Sequence, residues 1–266
     1  MYLSTSNLSL LTDLIFWDFD GIVKERHKYF VVQHVHRPDY IWGNCLVLKD
    51  EPDIKTLYEL IDGFGDEFLG QELSATAICW DCSDEQRTIE LLDRLPSRAR
   101  LRVSGSMSAC EVTSPPYFVP DCDIRRISGD AEWDQLFRAK LLSAPNAYPK
   151  EMYQSYLRTQ LHLYRDMCDQ NLGCWYALYA RGEMVSNLGI FGIHGVGRFQ
   201  IVDTIPDVRG KGYCQTLVYA AAKEYLSRVD TLVIVADQSG EAGRIYKNIG
   251  FETRDYLAEL EIEHSS

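Results

Sequence analysis

Residues 202–226 read VDTIPDVRGKGYCQTLVYAAAKEYL: a strand-like run, a proline, a loop with two closely spaced glycines, and an apolar stripe at helical spacing. Pro206 ends the extended run, because its ring removes a backbone donor. Gly210 and Gly212 let the chain turn sharply and let an anion approach the main chain. From there Cys214, Leu217, Val218, Ala221 and Tyr225 fall on one face, which predicts a helix over 211–227. A glycine turn between a strand and a helix points several N–H groups outward at the positive end of the helix dipole, so it predicts an anion site built from backbone. It is not a Walker loop, since no Lys-Ser or Lys-Thr follows the last glycine, and it does not match GxGxxG.

On either side the pattern is a mixed one. CDIRRI predicts a strand, DAEWDQLFRAKLL a helix, and residues 149–170 a second helix. CWYALYA, EMVSNLGIFGI and RFQIVDTI predict three strands before the loop. After the 211–227 helix come a β-branched strand TLVIVA, a helix GEAGRIYKNIG and a closing strand YLAELEIE. Residues 104–121, rich in small residues and carrying a double proline, read as a linker. Ahead of it KYFVVQHV and YIWGNCLVL predict strands. DIKTLYELIDG predicts a helix capped by Asp53 and stopped at Gly63, and SDEQRTIELLDRL one that ends before Pro96. The expected division is 1–118 and 119–266.

With 266 residues, 46% of them hydrophobic, the chain is long enough for two cores. No apolar run reaches the roughly 20 residues that span a bilayer, and the first residues lack the basic start of a signal peptide, so a cytoplasmic protein with no membrane partner is expected. The net charge of -12 disfavours a nucleic-acid surface and tolerates a cationic substrate. The eight cysteines do not suggest a disulfide framework in that setting. Cys79 and Cys82 with His34 and His36 have the residue types of a zinc site, but a single CxxC within strand-like sequence reads as packing, and no metal is expected.

The 202–226 segment resembles the signature of the GNAT superfamily of acetyl-CoA-dependent N-acetyltransferases: Arg or Gln, two residues, Gly, one residue, Gly or Ala. Arg209, Gly212 and Cys214 take those places, with cysteine where glycine or alanine is usual. DQSGEAGRIYKNIGFE, residues 237–252, is similar to the second cofactor segment through Ala242, Ile245, Tyr246, Gly250 and Phe251, with Ser239 where asparagine is usual. The likeness covers residues 119–266 and implies an α/β (α+β) protein. Its GNAT fold would be a central mixed, mostly antiparallel sheet flanked by helices, and residues 1–118 would form a smaller, degenerate GNAT-like α+β domain without a cofactor loop.

It also implies acetyl-CoA as acyl donor and a primary amine of a small molecule or peptide as acceptor, and it leaves a homodimer open. Cofactor contacts would come from Thr204, Ile205, Arg209, Gly210, Lys211, Gly212, Tyr213, Cys214, Ser239 and Tyr246. Amides of the splayed strand at Asp203, Thr204 and Ile205 would hold the pantetheine arm and acetyl carbonyl. Tyr246 would be the general acid, since a phenol stays protonated at neutral pH. Asp203, alternating with Ile201 and Phe199, and His194 are candidate bases, and water relay is a third route. Residues 145–170 would border the acceptor.

Two other readings remain. The chain could bind acetyl-CoA as a sensor without turnover. LIFWDFDGIV also resembles the first motif of the haloacid dehalogenase phosphatases, with Asp18 as nucleophile and Asp20 as acid/base. Asp130 and Asp134 of GDAEWD imitate that family's metal-binding motif. That chemistry needs Mg²⁺ between paired carboxylates and phosphate.

Overall fold

A computed structural model describes residues 7–144, 149–236 and 240–264. In chain order the elements are α1 (Leu8–Asp20), β1 (Ile22–Glu25), β2 (Tyr29–Gln33), β3 (Cys45–Leu48), α2 (Ile54–Glu67), β4 (Ala75–Cys82), α3 (Glu85–Glu90), β5 (Ala99–Ala109), β6 (Asp123–Arg126), α4 (Asp130–Leu142) and α5 (Lys150–Asp169). There follow β7 (Gly173–Ala180), β8 (Glu183–Ile193), β9 (Val196–Thr204), α6 (Tyr213–Tyr225), β10 (Thr231–Ala236), α7 (Glu241–Ile249) and β11 (Glu252–Glu263). They fall into two compact units. One comprises Met1–Met107, Val235–Asp237 and Thr253–Ser266, the other Ser108–Ile234 and Gln238–Glu252.

In the first unit the strand order is β1-β2-β3-β4-β11-β5. β11 pairs antiparallel with β4 from Tyr256↔Cys82 to Glu263↔Ala75. Leu260, Ile262 and Ala258 of β11 join Val31, Leu46, Ile78 and Trp80 in one core, so the last strand of the chain completes the unit that begins it. A single cut between residues 118 and 119 therefore does not describe the units. Burial explains this placement: from Tyr256 to Ile262 every second residue of β11 is apolar, and β4 offers an apolar partner face.

Several local expectations are revised here. LIFWDFD is helical, capped by Asn7, whose side chain accepts from the Ser9 and Leu10 amides at 3.0 and 3.2 Å. The helix buries Leu10, Leu14, Ile15, Phe16 and Trp17. Asp18 is an exposed helical residue, and Asp20 pairs with the buried His34 at 2.8 Å, so neither stands at the end of a buried strand as the phosphatase reading requires. Asp130 opens α4 and pairs with Arg165. The α2 helix runs through Gly63 to Glu67, because burying Phe64 in line with Leu57 outweighs about 1 kcal/mol per helical glycine. The linker expected from 104 starts late, since β5 extends to Ala109 with Ser106, Met107 and Ala109 buried. In YIWGNCLVL only Cys45–Leu48 is strand, after a 3-10 turn at Ile41–Gly43.

The second unit has the order β10-β9-β8-β7-β6, antiparallel except for the parallel β9/β10 pair. The mixed, mostly antiparallel sheet with flanking helices is the expected fold class. Trp175, Phe191 and Tyr164 pack as an aromatic cluster between the sheet and α5, with ring centroids 5.1 to 6.4 Å apart. On α6, Leu217, Val218, Ala221 and Tyr225 are buried, the face that the helical spacing predicts.

Candidate active site

The site is built where β9 leaves the sheet. On one side β9 follows β8, and opposite Leu188 it holds two residues, Ile201 and Val202, between the Gly189↔Gln200 and Asn187↔Asp203 pairs. This is a bulge, and Ile201 takes φ 46 to make it. On the other side β9 is parallel to β10 only from Val196 to Arg198. Among the described residues no strand pairs with that edge from Phe199 onward, so the two strands part and leave main-chain groups of β9 open.

Alternation decides which groups those are. The Ile205 amide donates to Val185 O at 3.0 Å, which ties residue 205, and by the same alternation residue 203, to β8. Thr204 therefore faces its amide and carbonyl toward the opening, where the carbonyl accepts from Arg209 Nε at 2.9 Å. Of the three amides expected to serve a pantetheine arm, Thr204's is the one the sheet leaves available. The Ile205 amide is already used.

Past a 3-10 turn at Pro206–Val208, the chain enters the loop through Gly210 at φ 74 and Gly212 at φ 82. Gly212 is the N-cap of α6 and has no side chain to offer the helix. Among the described residues, the amides of 210–215 have no acceptor, and the first bonded one is Thr216 N on Gly212 O at 3.1 Å. A run of unpaired donors at the start of a 13-residue helix is what a main-chain anion site requires. Tyr213 opens the helix, and Lys211 is exposed with its ammonium on Asp207 O at 3.3 Å. Arg209 turns back to Thr204 O and lies 3.7 Å from Asp203, so its guanidinium braces the loop. The linker supports the same turn. Val119 N donates to Thr216 Oγ1 at 3.0 Å, and the Gln215 side chain donates to Tyr117 O.

Beneath the loop, the Thr204 hydroxyl lies 2.8 Å from Ser186 Oγ, which donates to Asp203 O at 2.9 Å. The Cys214 thiol sits beside Thr204, and burial pushes it up to about 11, so it is a packed neutral group. Tyr246 of α7 is 5% exposed and sets its ring edge-on to Phe251. Burial, with a smaller contribution from Cys214, raises its phenol, so Tyr246 stays protonated at any physiological pH. The turn at Gly250, φ 107, ends α7 with Phe251 N donating to Tyr246 O at 3.0 Å.

On the opposite face, the Asp203 carboxylate is 3.5 Å from Lys140 Nζ of α4. Lys140 is buried, and desolvation pulls its ammonium down to about 8 against the opposing pull of Asp203. The structure thus brings Asp203, Thr204, Ile205, Arg209–Cys214 and Tyr246 into one unit. Ser239 lies outside the described residues. His194 does not belong here: it forms the two-residue turn with Gly195, both at positive φ, at the far end of the β8–β9 hairpin. It lies nine positions from Asp203, along a strand that rises roughly 3.3 Å per residue.

Lys140 and Asn187 escaped the sequence reading, although a signal existed. Trp133, Leu136 and Lys140 share the buried stripe of α4, and Asn187 interrupts an apolar strand. Among the described residues no group of three or more His, Cys, Asp or Glu could hold a metal. His34 spends its ring nitrogens on Gly43 O and Asp20, at 2.7 and 2.8 Å.

No family model matches the sequence, and no curated protein does. Solved structures do. A conserved protein of unknown function from Staphylococcus epidermidis is 13% identical with a TM-score of 0.72, over 93% of this chain and 96% of that one. A GCN5-related N-acetyltransferase from Kribbella flavida is 13% identical with a TM-score of 0.68, over 95% and 93%. A tandem GNAT protein from the clavulanic acid biosynthesis pathway is 10% identical with a TM-score of 0.54, over 80% and 70%. The chain therefore has the fold of the GCN5-related N-acetyltransferases.

Proposed function

We propose that the protein is an acetyl-CoA-dependent N-acetyltransferase that acts on a primary amine. The observation that carries this reading is the continuity between the open edge of β9 and the unpaired amides at 210–215. An extended amide-bearing arm fits the first, and a pyrophosphate fits the second. Acetyl-CoA has both parts, joined in that order.

In the reaction the amine nitrogen attacks the thioester carbonyl carbon, a C–N bond forms and the C–S bond breaks. Thr204's amide is the donor available to a carbonyl oxygen that gains charge. Tyr246, held protonated, supplies the proton that the departing thiolate needs. Asp203, directly or through water, is the group that accepts the amine's proton.

Release of thiol from acetyl-CoA that depends on an added primary amine tests the reading. Tyr246→Phe is expected to keep acetyl-CoA affinity within a few-fold, since the ring packing remains, while kcat drops about 100-fold or more. Acetyl-CoA binding with no amine-dependent thiol release would leave the sensor reading, and an unchanged kcat in Tyr246→Phe would remove the tyrosine from the mechanism.

A further inference from the structure

Asn187 and Asp203 stand directly opposite each other on β8 and β9, so their side chains leave the same face of the sheet. Lys140 reaches that face from α4, with Nζ 3.5 Å from both Asp203 Oδ2 and Ile201 O. Asn187 is fully buried, and among the described residues neither its Nδ2 nor its Oδ1 has a hydrogen-bond partner. Asp203 Oδ2 is likewise buried and, among the described residues, makes no hydrogen bond. The cations near this carboxylate, Lys140 at 3.5 Å and Arg209 at 3.7 Å, lie beyond the roughly 2.8 Å of a charge-assisted bond.

Buried amides and carboxylates in a folded protein are ordinarily satisfied, because leaving them dry and unpaired is destabilising. An apolar residue in place of Asn187 would fill the same volume without that cost. The unspent donors and acceptors are complementary to a ligand that gives a proton to a carboxylate and, a short distance away, both gives and takes a hydrogen bond. Tyr153 of α5 lies close enough for Asp203 to help raise its phenol, after burial, and its ring lies 6.4 Å from that of Tyr156. One aromatic side chain, Tyr153, thus stands near the carboxylate.

We propose that Asn187, Asp203 and Lys140 form the acceptor subsite, which selects a primary amine that carries a hydroxyl or amide group next to the amine-bearing carbon. The proposal rests on the acetyltransferase reading. Asp203 receives the amine end, Lys140 holds the carboxylate on that face, and Asn187 reads the neighbouring polar group. With Lys140 and Arg209 already facing one carboxylate, a polycationic acceptor is disfavoured.

The test compares 2-aminoethanol with propylamine, which replaces the hydroxyl by a methyl group at constant length. The protein is expected to favour 2-aminoethanol in kcat/KM by about ten- to a hundred-fold, the usual cost of leaving a buried polar partner unsatisfied. In Asn187→Leu the ratio should collapse toward one, with thermal stability equal to or above that of the parent. Because both probes are measured on one preparation, the ratio is independent of the folded fraction, and Asn187→Ala provides the same reading should leucine not fit. A parent protein that binds acetyl-CoA but uses both probes alike, or neither, overturns the proposal, as does a ratio that survives Asn187→Leu. Failure of the parent to bind acetyl-CoA is a different result, and it overturns the acetyltransferase reading itself.

Discussion

Lys140 lies on the buried stripe of α4, where leucine or alanine would cost less, and its ammonium is drawn down from 10.5 to about 8 by desolvation. Its folded-state value lies below its unfolded one, so between these values the unfolded chain binds more protons and stability rises with pH. Below about pH 8 the buried charge is carried in full, and the cost is relieved as pH climbs toward 10.5. The difference in stability between wild type and Lys140→Met should therefore shift in favour of wild type from pH 8 to pH 10. Thermal or denaturant unfolding at the two pH values would show it, and a difference that stays constant would mean that Lys140 titrates as an ordinary lysine. The residues of the loop were legible because glycine, proline and helical spacing have local causes. Asn187 and Lys140 were not, because their meaning depends on which residues face them across β9, and pairing over that distance is set by register.

At the level of elements, strong periodicity was readable and competition between signals was not. The helix over 211–227 and the strand TLVIVA were expected from pattern alone and occur as Tyr213–Tyr225 and Thr231–Ala236. In α2 Gly63 outvoted the apolar spacing on paper, yet the helix continues because Phe64 and Phe68 stack at 4.6 Å inside the core. A methyl group added at Gly63 or Gly65 meets nothing within 4 Å. Gly63→Ala and Gly65→Ala should each stabilise the protein by about 0.5–1 kcal/mol, through helix propensity and a less flexible unfolded chain. A melting temperature that falls in both would show that these positions are strained in the fold. β5 hid for the opposite reason: Ser104, Gly105, Ser106 and Ser108 have turn-like composition, and only the burial of Met107 and Ala109 in a paired strand overrides it.

On the scale of the whole molecule, the order of elements in residues 119–252 was legible, while the home of the last strand was not. A closing strand looks the same in sequence whichever sheet receives it, and β11 is placed by its match to β4 and the core around Trp80. What the whole chain is for depends on one loop. Gly212 at φ 82 takes a conformation that costs a β-branched residue roughly 1–2 kcal/mol or more, and its added side chain would meet Val119 Cγ2 at 3.2 Å and Tyr117 O at 3.5 Å. Gly212→Val must therefore displace the amides around it, whereas Lys211→Ala removes only an exposed charge. The most direct measurement is calorimetric titration with acetyl-CoA of wild type, Gly212→Val and Lys211→Ala, each checked for folding by its melting transition. Saturable binding by wild type, weakened at least ten-fold in folded Gly212→Val and by less than about three-fold in Lys211→Ala, is the predicted result. Equal affinity in wild type and Gly212→Val, or no binding by wild type, would contradict the account.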